Sequence, residues 1–147
     1  MTHVPQPTWT VVACRFHGAV VHRLVAGAVD CLRKKGVSEG SVRIARVAGA
    51  FELPLAALVL AEASPAPIGI VALGCVIRGE TPHFHYVCSG VTRGLMDVAL
   101  RTRVPVGFGL LTCDSMEQAL SRAGGDRGDK GWEAAEAAWD LAKLIGR

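Results

Sequence analysis

The chain has 147 residues, half of them apolar by the AVILMFWYC count, with 20% charged and a formal net charge of +3. That length supports one domain with a real core, and the apolar share excludes a disordered chain. The small net charge, with no Lys/Arg run and no basic stripe interleaved with aromatics, argues against a nucleic-acid partner.

The first eight residues, "MTHVPQPT", hold two prolines and are expected to be loose. They lack the charged start and apolar block of a signal peptide. From Trp9 onward, short β-branched runs alternate with helical stripes, and residues 9–147 read as one domain. "WTVVAC" (Trp9 to Cys14) is a strand. The following segment has apolar residues at Val21, Leu24, Val25, Ala28 and Leu32, a helical stripe that Gly36 closes. "SVRIARV" (Ser41 to Val47) alternates with period two, as a strand does. "ELPLAALVLAEA" (Glu52 to Ala63) reads as a helix with Pro54 in its first turn.

"IGIVALGCVI" (Ile68 to Ile77) is a continuous apolar run, the pattern of a central parallel strand. The longest uncharged stretch, Ala63 to Ile77, includes it but holds two prolines and two glycines. It falls short of the roughly 18 residues a membrane span needs. Next come apolar positions Phe84, Val87, Val91, Leu95 and Val98, a third helix. "VPVGFGLLTC" (Val104 to Cys113) reads as a fourth buried strand. Ser115 and Gln118 form a capping box for a short helix that ends on Gly124 and Gly125. The last helix sets Trp132, Ala135, Trp139 and Ala142 on one face. The order β-α-β-α-β-α-β-α-α predicts an α/β chain, a parallel sheet with helices on both faces.

Cys14, Cys31, Cys75, Cys88 and Cys113 form no CxxC and are odd in number. They read as small core residues in a reducing, cytoplasmic setting. No phosphate-binding loop, dinucleotide fingerprint, zincin motif or nucleophile elbow is present.

The chemistry concentrates in "GCVIRGETPHFHYV", Gly74 to Val87, where the third strand hands over to the third helix. Ligands of open α/β sheets collect at such carboxyl ends. Thr81 is the expected N-cap and Pro82 the first helical residue, so free N–H groups there form an anion site to which Arg78 would add charge. His83 falls in the first turn, where the positive helix end favours a neutral imidazole able to take a proton. Glu80 would position a donor or simply favour the helix dipole. The plain alternative is a Thr-Pro helix start beside a solvated turn. His83 and His85 lie about 200° apart on a helix and make a poor metal pair.

"GAFELP", "ALGCVIRGETPHFHYV", "PVGFGLLT" and "EQALSRAGGDRGDKGWEAA" stand in the order and spacing of the lumazine synthases, the 6,7-dimethyl-8-ribityllumazine synthases of riboflavin biosynthesis. The chain resembles that family from about Trp9 to Ile145. The resemblance implies a three-layer α/β/α fold with a four-stranded parallel, flavodoxin-like sheet. It implies condensation of 5-amino-6-(D-ribitylamino)uracil with 3,4-dihydroxy-2-butanone 4-phosphate, releasing phosphate and water, with no metal or organic cofactor. It further implies homopentamers with active sites between subunits, and riboflavin synthase as a partner. The short link Gly124 to Asp129 is compatible with pentamers closing into a 60-subunit icosahedral shell.

Residue roles follow from the same resemblance. Phe16 would stack on the pyrimidine, although a loop aromatic plugging the core is equally plain. Ala50, Phe51 and Glu52 would line the pyrimidine and ribityl chain, with Glu52 accepting ribityl hydroxyls. Cys75, Val76 and Ile77 would meet the heterocycle; ordinary strand packing explains the same side chains. Gly79, Glu80 and Thr81 would meet the butanone phosphate, His83 would move protons, and Arg122 would grip the phosphate. Phe108 would reach the site of an adjacent subunit, and Lys130 would approach the pyrimidine carbonyls. Strand packing, a helix-end cation and a solvated lysine are the respective alternatives for Phe108, Arg122 and Lys130.

Some positions depart from the family pattern. His17 replaces a common Asn, His85 a common acid and Ala48 a frequent Pro, while Asp126 and Asp129 lie close to Arg122 and Lys130. His85 predicts a displaced pH optimum, and the aspartates would weaken phosphate binding or cap the last helix. Two rivals remain: a catalytically impaired paralogue that binds flavin or lumazine or forms shells, and a plain flavodoxin-like response or binding domain.

Overall fold

The computed structural model describes residues 8–147. The expected loose segment over residues 1–8 therefore lies, except for Thr8, outside the described residues; the Thr8 carbonyl accepts from Ile68 N at 2.8 Å. Four parallel strands form the main sheet: β1 (Trp9–Cys14), β2 (Val42–Val47), β3 (Gly69–Ile77) and β4 (Val106–Cys113). Their order is β2-β1-β3-β4, the flavodoxin-like arrangement. The helices are α1 (Gly18–Lys34), α2 (Leu53–Ala61), α3 (His83–Thr102), α4 (Met116–Ser121) and α5 (Lys130–Leu144).

β3 is an unbroken apolar run, and β1 is apolar but for the buried Thr10, because helices cover both faces of the sheet's centre. α1 and α5 pack together on one face, and α2 and α3 on the other. The core draws Leu24 and Leu32 from α1, Leu53 from α2, Leu95 from α3, and Val11, Ile70 and Leu73 from the sheet. Trp9 stacks on Trp139 of α5 with ring centroids 5.8 Å apart. Every residue expected on the α1 stripe is buried. No helix among the described residues is long and apolar enough to cross a membrane.

The edges behave differently from the centre. β2 keeps its period-two sequence, yet Ile44 is exposed on this edge strand. β4, expected to be buried throughout, is the opposite edge and exposes Phe108 and Thr112. The link between α4 and α5 is a hairpin, which the sequence pattern concealed. β5 (Ala123–Gly125) and β6 (Gly128–Asp129) run antiparallel, and Gly124 (φ 85°) and Gly128 (φ 95°) take the left-handed conformation that favours glycine.

Asp129 caps α5: its Oδ1 accepts from Gly131 N at 3.0 Å and from Trp132 N at 3.2 Å. The same carboxylate fills the space that a Cβ on Gly27 of α1 would need, so the cap is also a packing contact. Asp129→Ala should cost about 0.5–2 kcal/mol of stability, in the normal range for losing an N-cap. Urea unfolding of the two proteins checks this; equal midpoints would show that the cap contributes nothing.

The predicted start of α3 shifts by one residue, while that of α4 holds at Ser115. α3 begins at His83 with Pro82 as its N-cap, rather than with Thr81 as cap and Pro82 first. Thr81 Oγ1 still accepts from His83 N, at a long 3.4 Å. At α4, Ser115 Oγ accepts from Gln118 N as a capping box requires, but Gln118 Oε1 accepts from Asp114 N at 2.7 Å, one residue earlier than the standard partner.

Candidate functional site

Chain direction reverses its lateral course between β1 and β3: β1 leads to β2 on one side and, through α2, to β3 on the other. Loops leave the carboxyl ends of such a pair in opposite directions and open a crevice. A cleft of about 500 Å³ lies there. Phe16 and His17 line it from the β1–α1 loop, and Gly49, Ala50, Phe51 and Glu52 from the turn before α2. Cys75, Val76 and Ile77 line it from the end of β3, and His83, Tyr86 and Val87 from the first turns of α3.

Local chemistry shapes this cleft. Phe16 N and Arg15 N both donate to the Ala48 carbonyl at 3.1 Å, which ties the β1–α1 loop to the loop after β2. The Phe16 ring lies so close to Gly49 that a Cβ there would come within 2.7 Å of Phe16 Cδ2. Glycine at 49 is therefore a condition for the ring's position. Phe16 and Phe51 are 66% and 70% exposed, far from the plugging of a core. His17 sits at φ 56°, ψ 49°, a left-handed conformation uncommon outside glycine, and its carbonyl accepts from Val20 N and Val21 N to open α1.

Glu52 Oε2 accepts from Gly49 N at 3.1 Å, which satisfies the start of the turn before α2. Its Oε1 has no hydrogen bond among the described residues, so the carboxylate can cap its own turn and still accept from a ligand. Burial, more than any neighbouring charge, pushes the Cys75 thiol up to about 12, and the Cys14 thiol behind it likewise to about 12. Cys75 is thus a neutral wall of the cleft and no thiolate nucleophile.

The structure brings together eight of the expected site residues in this cleft: Phe16, Ala50, Phe51, Glu52, Cys75, Val76, Ile77 and His83. Gly79, Glu80 and Thr81 form its exposed neighbouring loop and are not lining residues. Phe108 lies outside the cleft, 43% exposed, in a groove with His85, Cys88, Ser89, Thr92 and Met96. Arg122 and Lys130 meet across the base of the β5–β6 hairpin, where Lys130 N donates to the Arg122 carbonyl at 2.8 Å. The Arg122 guanidinium uses Nη1 to donate to the Gln118 carbonyl at 3.0 Å and to Ser121 Oγ at 3.1 Å. Lys130 Nζ pairs with Glu133 at 3.1 Å.

Tyr86 and Val87 are cleft residues that the sequence reading did not place in the site. Their signal was present: they follow His83 by three and four residues and share its helix face. Arg78, expected to lend charge to the helix-start anion site, is engaged elsewhere. It donates through Nε to Asp114 Oδ1 at 2.7 Å and is hydrogen-bonded through Nη1 to His85 Nε2 at 2.9 Å. Among the described residues no three His, Cys, Asp or Glu side chains gather to hold a metal ion.

A family model described as 6,7-dimethyl-8-ribityllumazine synthase matches residues 6–146. The 6,7-dimethyl-8-ribityllumazine synthase of Desulfovibrio desulfuricans is 50% identical to the chain over 135 residues, covering 92% of the chain and 86% of the relative. That of Aquifex aeolicus is 46% identical over 135 residues, with 92% and 87% covered. That of Nitratidesulfovibrio vulgaris is 48% identical over 137 residues, with 93% and 87% covered.

Proposed function

We propose a reaction for this chain from one premise, that it belongs to the 6,7-dimethyl-8-ribityllumazine synthase family. The chain condenses 5-amino-6-(D-ribitylamino)uracil with 3,4-dihydroxy-2-butanone 4-phosphate, and inorganic phosphate and water leave. The observation that carries this reading is the cleft at the sheet's switch point. Its walls join an exposed aromatic ring (Phe16), a carboxylate with a free oxygen (Glu52) and a helix-start imidazole (His83).

In the proposed roles, the pyrimidine lies on Phe16 against the end of β3, and Glu52 Oε1 accepts from ribityl hydroxyls. The butanone phosphate sits beyond His83, over Gly79, Glu80 and Thr81, and is held by Arg122. The amine of the uracil attacks the ketone to form a Schiff base, and His83 carries protons between the reacting nitrogen and the leaving groups. Holding two substrates face to face supplies the largest share, since orientation alone is worth about 7–11 kcal/mol. Proton transfer adds about 10²–10⁴-fold. Every one of these tasks is done by protein groups alone.

Phe108 and Lys130 do not line the cleft of their own chain, and neither does Arg122. We assign Phe108 to the site of a neighbouring copy in a homopentamer, with Arg122 and Lys130 completing the site at the seam between copies. Exposed apolar side chains at Leu55, Val59, Met96 and Leu100 on α2 and α3 support such an assembly, because a monomer would leave them in water.

Mixing both substrates with the protein and following the absorbance or fluorescence of the lumazine tests the reaction. Product should form without added metal or cofactor. No product, together with tight binding of a lumazine or flavin, would instead favour the impaired paralogue. A mass measurement in solution should return a multiple of five chains, and a lone monomer would overturn the shared site.

A further inference from the structure

Four groups from three elements converge at the rim of the sheet. Arg78 stands at the end of β3, Asp114 follows β4, and Phe84 and His85 open α3. Arg78 Nε donates to Asp114 Oδ1 at 2.7 Å, and its guanidinium carbon lies 4.5 Å from the centre of the Phe84 ring. Nη1 and His85 Nε2 are 2.9 Å apart. A guanidinium has only donors, so His85 Nε2 must be the acceptor, with its proton on Nδ1. This contact exists only with neutral imidazole; protonation removes the lone pair and sets two cations against each other.

The contact spans the loop of residues 79–82. On one side Arg78 N donates to the Cys113 carbonyl at 2.9 Å, and on the other His85 N donates to the Pro82 carbonyl at 3.0 Å. Gly79, Glu80, Thr81 and His83 therefore hang between the two ends of one side-chain clamp. Asp114 is itself braced by Gln118, which accepts from its backbone N–H.

We infer that Arg78 is a positioning residue for the Gly79–Thr81 loop and His83, held by Asp114 and by neutral His85, and that protonation of His85 releases one arm of this clamp. The inference rests on the proposed reaction only for its kinetic readout.

The two arms respond to pH differently. The hydrogen bond from Arg78, aided by its charge, holds the Asp114 carboxyl below its ordinary value. A depressed carboxyl contributes above its unfolded pKa and is lost only as pH falls through the lower folded value, so the Asp114 arm persists through the mildly acid range. The His85 arm is instead lost whenever a proton occupies Nε2, because that removes the lone pair on which Arg78 depends. The charged or titratable groups around His85 are Arg78, with Asp114 behind it, and Arg93 and Cys88 of α3 in the same groove.

His85→Gln tests this, because an amide oxygen accepts from Arg78 at every pH. The readout is the ratio of kcat/KM values of the two proteins, which share His83 and differ only at position 85. That ratio, wild type to H85Q, should be near one at about pH 8 and fall about threefold or more by about pH 5.5. In an Arg78→Ala background the His85→Gln change should have no pH-dependent effect. A ratio constant with pH would overturn the inference. Hydrogen exchange of the peptide over residues 78–85 gives a readout independent of turnover. It should be faster in wild type than in H85Q at the acid pH and equal at the alkaline one. Equal exchange at both pH values would also overturn the clamp. Turnover absent in every variant, with the exchange difference present, would sink only the proposed reaction.

Discussion

Arg122→Ala should lower kcat/KM by about 10³-fold, the upper end for removing one preorganised group that stabilises developing charge. The leaving group is a phosphate, and its negative charge is largest as it departs. A guanidinium offers a planar fork of donors, always charged, matched to phosphate oxygens. In the free chain Arg122 spends only Nη1 on the Gln118 carbonyl and Ser121 Oγ. Nε and Nη2 have no hydrogen bond among the described residues and remain for an anion. His83→Ala should cost less, about 10²-fold, at the lower end for a general acid–base group, since water and substrate amines replace part of a proton shuttle. Nothing in water replaces the guanidinium. Steady-state rates with each substrate varied in turn check the ranking. Arg122→Ala should raise KM for the phosphate substrate and leave that for the uracil nearly unchanged. Arg122→Lys should recover part of the loss, because it restores charge without the fork. A dead His83 variant beside a healthy Arg122 variant would reverse the assignment.

The largest expected effect on stability is at Gly131. This residue is the second of α5, and a Cβ there would run into the Leu24 carbonyl of α1, with Leu24 Cα only 2.8 Å away. The obstacle is the backbone of buried Leu24 and cannot rotate aside. α1 and α5 would have to separate, and the Asp129 cap and hairpin at the same junction would move with them. Gly131→Ala should therefore destabilise by about 1–3 kcal/mol or more, the cost of overpacking. For a chain of this size each kcal/mol lowers Tm by about 2–4 °C. Gly18→Ala is the control. Its Cβ would meet nothing within 4 Å, so the change should be neutral or stabilising by up to about 1 kcal/mol. Calorimetry of the two variants decides; a Gly131→Ala protein as stable as wild type would mean that the α1–α5 approach is looser than described.

The main elements were legible in the chain because their causes are local. β1 read as a strand from a short β-branched run, β3 from a continuous apolar run, and α1 from a stripe at Val21, Leu24, Val25, Ala28 and Leu32 that is buried throughout. The angular separation of His83 and His85 also followed from helix geometry alone, and the two line different cavities. Motifs in register identified the family, since residues spread over nearly the whole length had to agree. Edge character was not legible. β4 has the same apolar density as a central strand, and nothing within it states that no fifth strand lies beside it. The β5–β6 hairpin was hidden for a related reason: "AGGDRGD" carries almost no side-chain signal, and its pairing depends on two left-handed glycines.

The sequence by itself determined the alternation of strand and helix, the family, and which side chains are available for chemistry. Periodicity, composition and motif spacing are properties of the chain that need no partner in space. Only the tertiary structure decided how those side chains are shared out. It gathered Phe16, Glu52, Ile77 and His83 into one cleft, left Phe108, Arg122 and Lys130 outside it, and turned Arg78 away from the helix start toward Asp114 and His85. The physical reason is distance along the chain. Arg78 and Asp114 are brought together by the pairing of β3 with β4, in which Ile77 lies opposite Cys113, and no pattern local to either residue records that register.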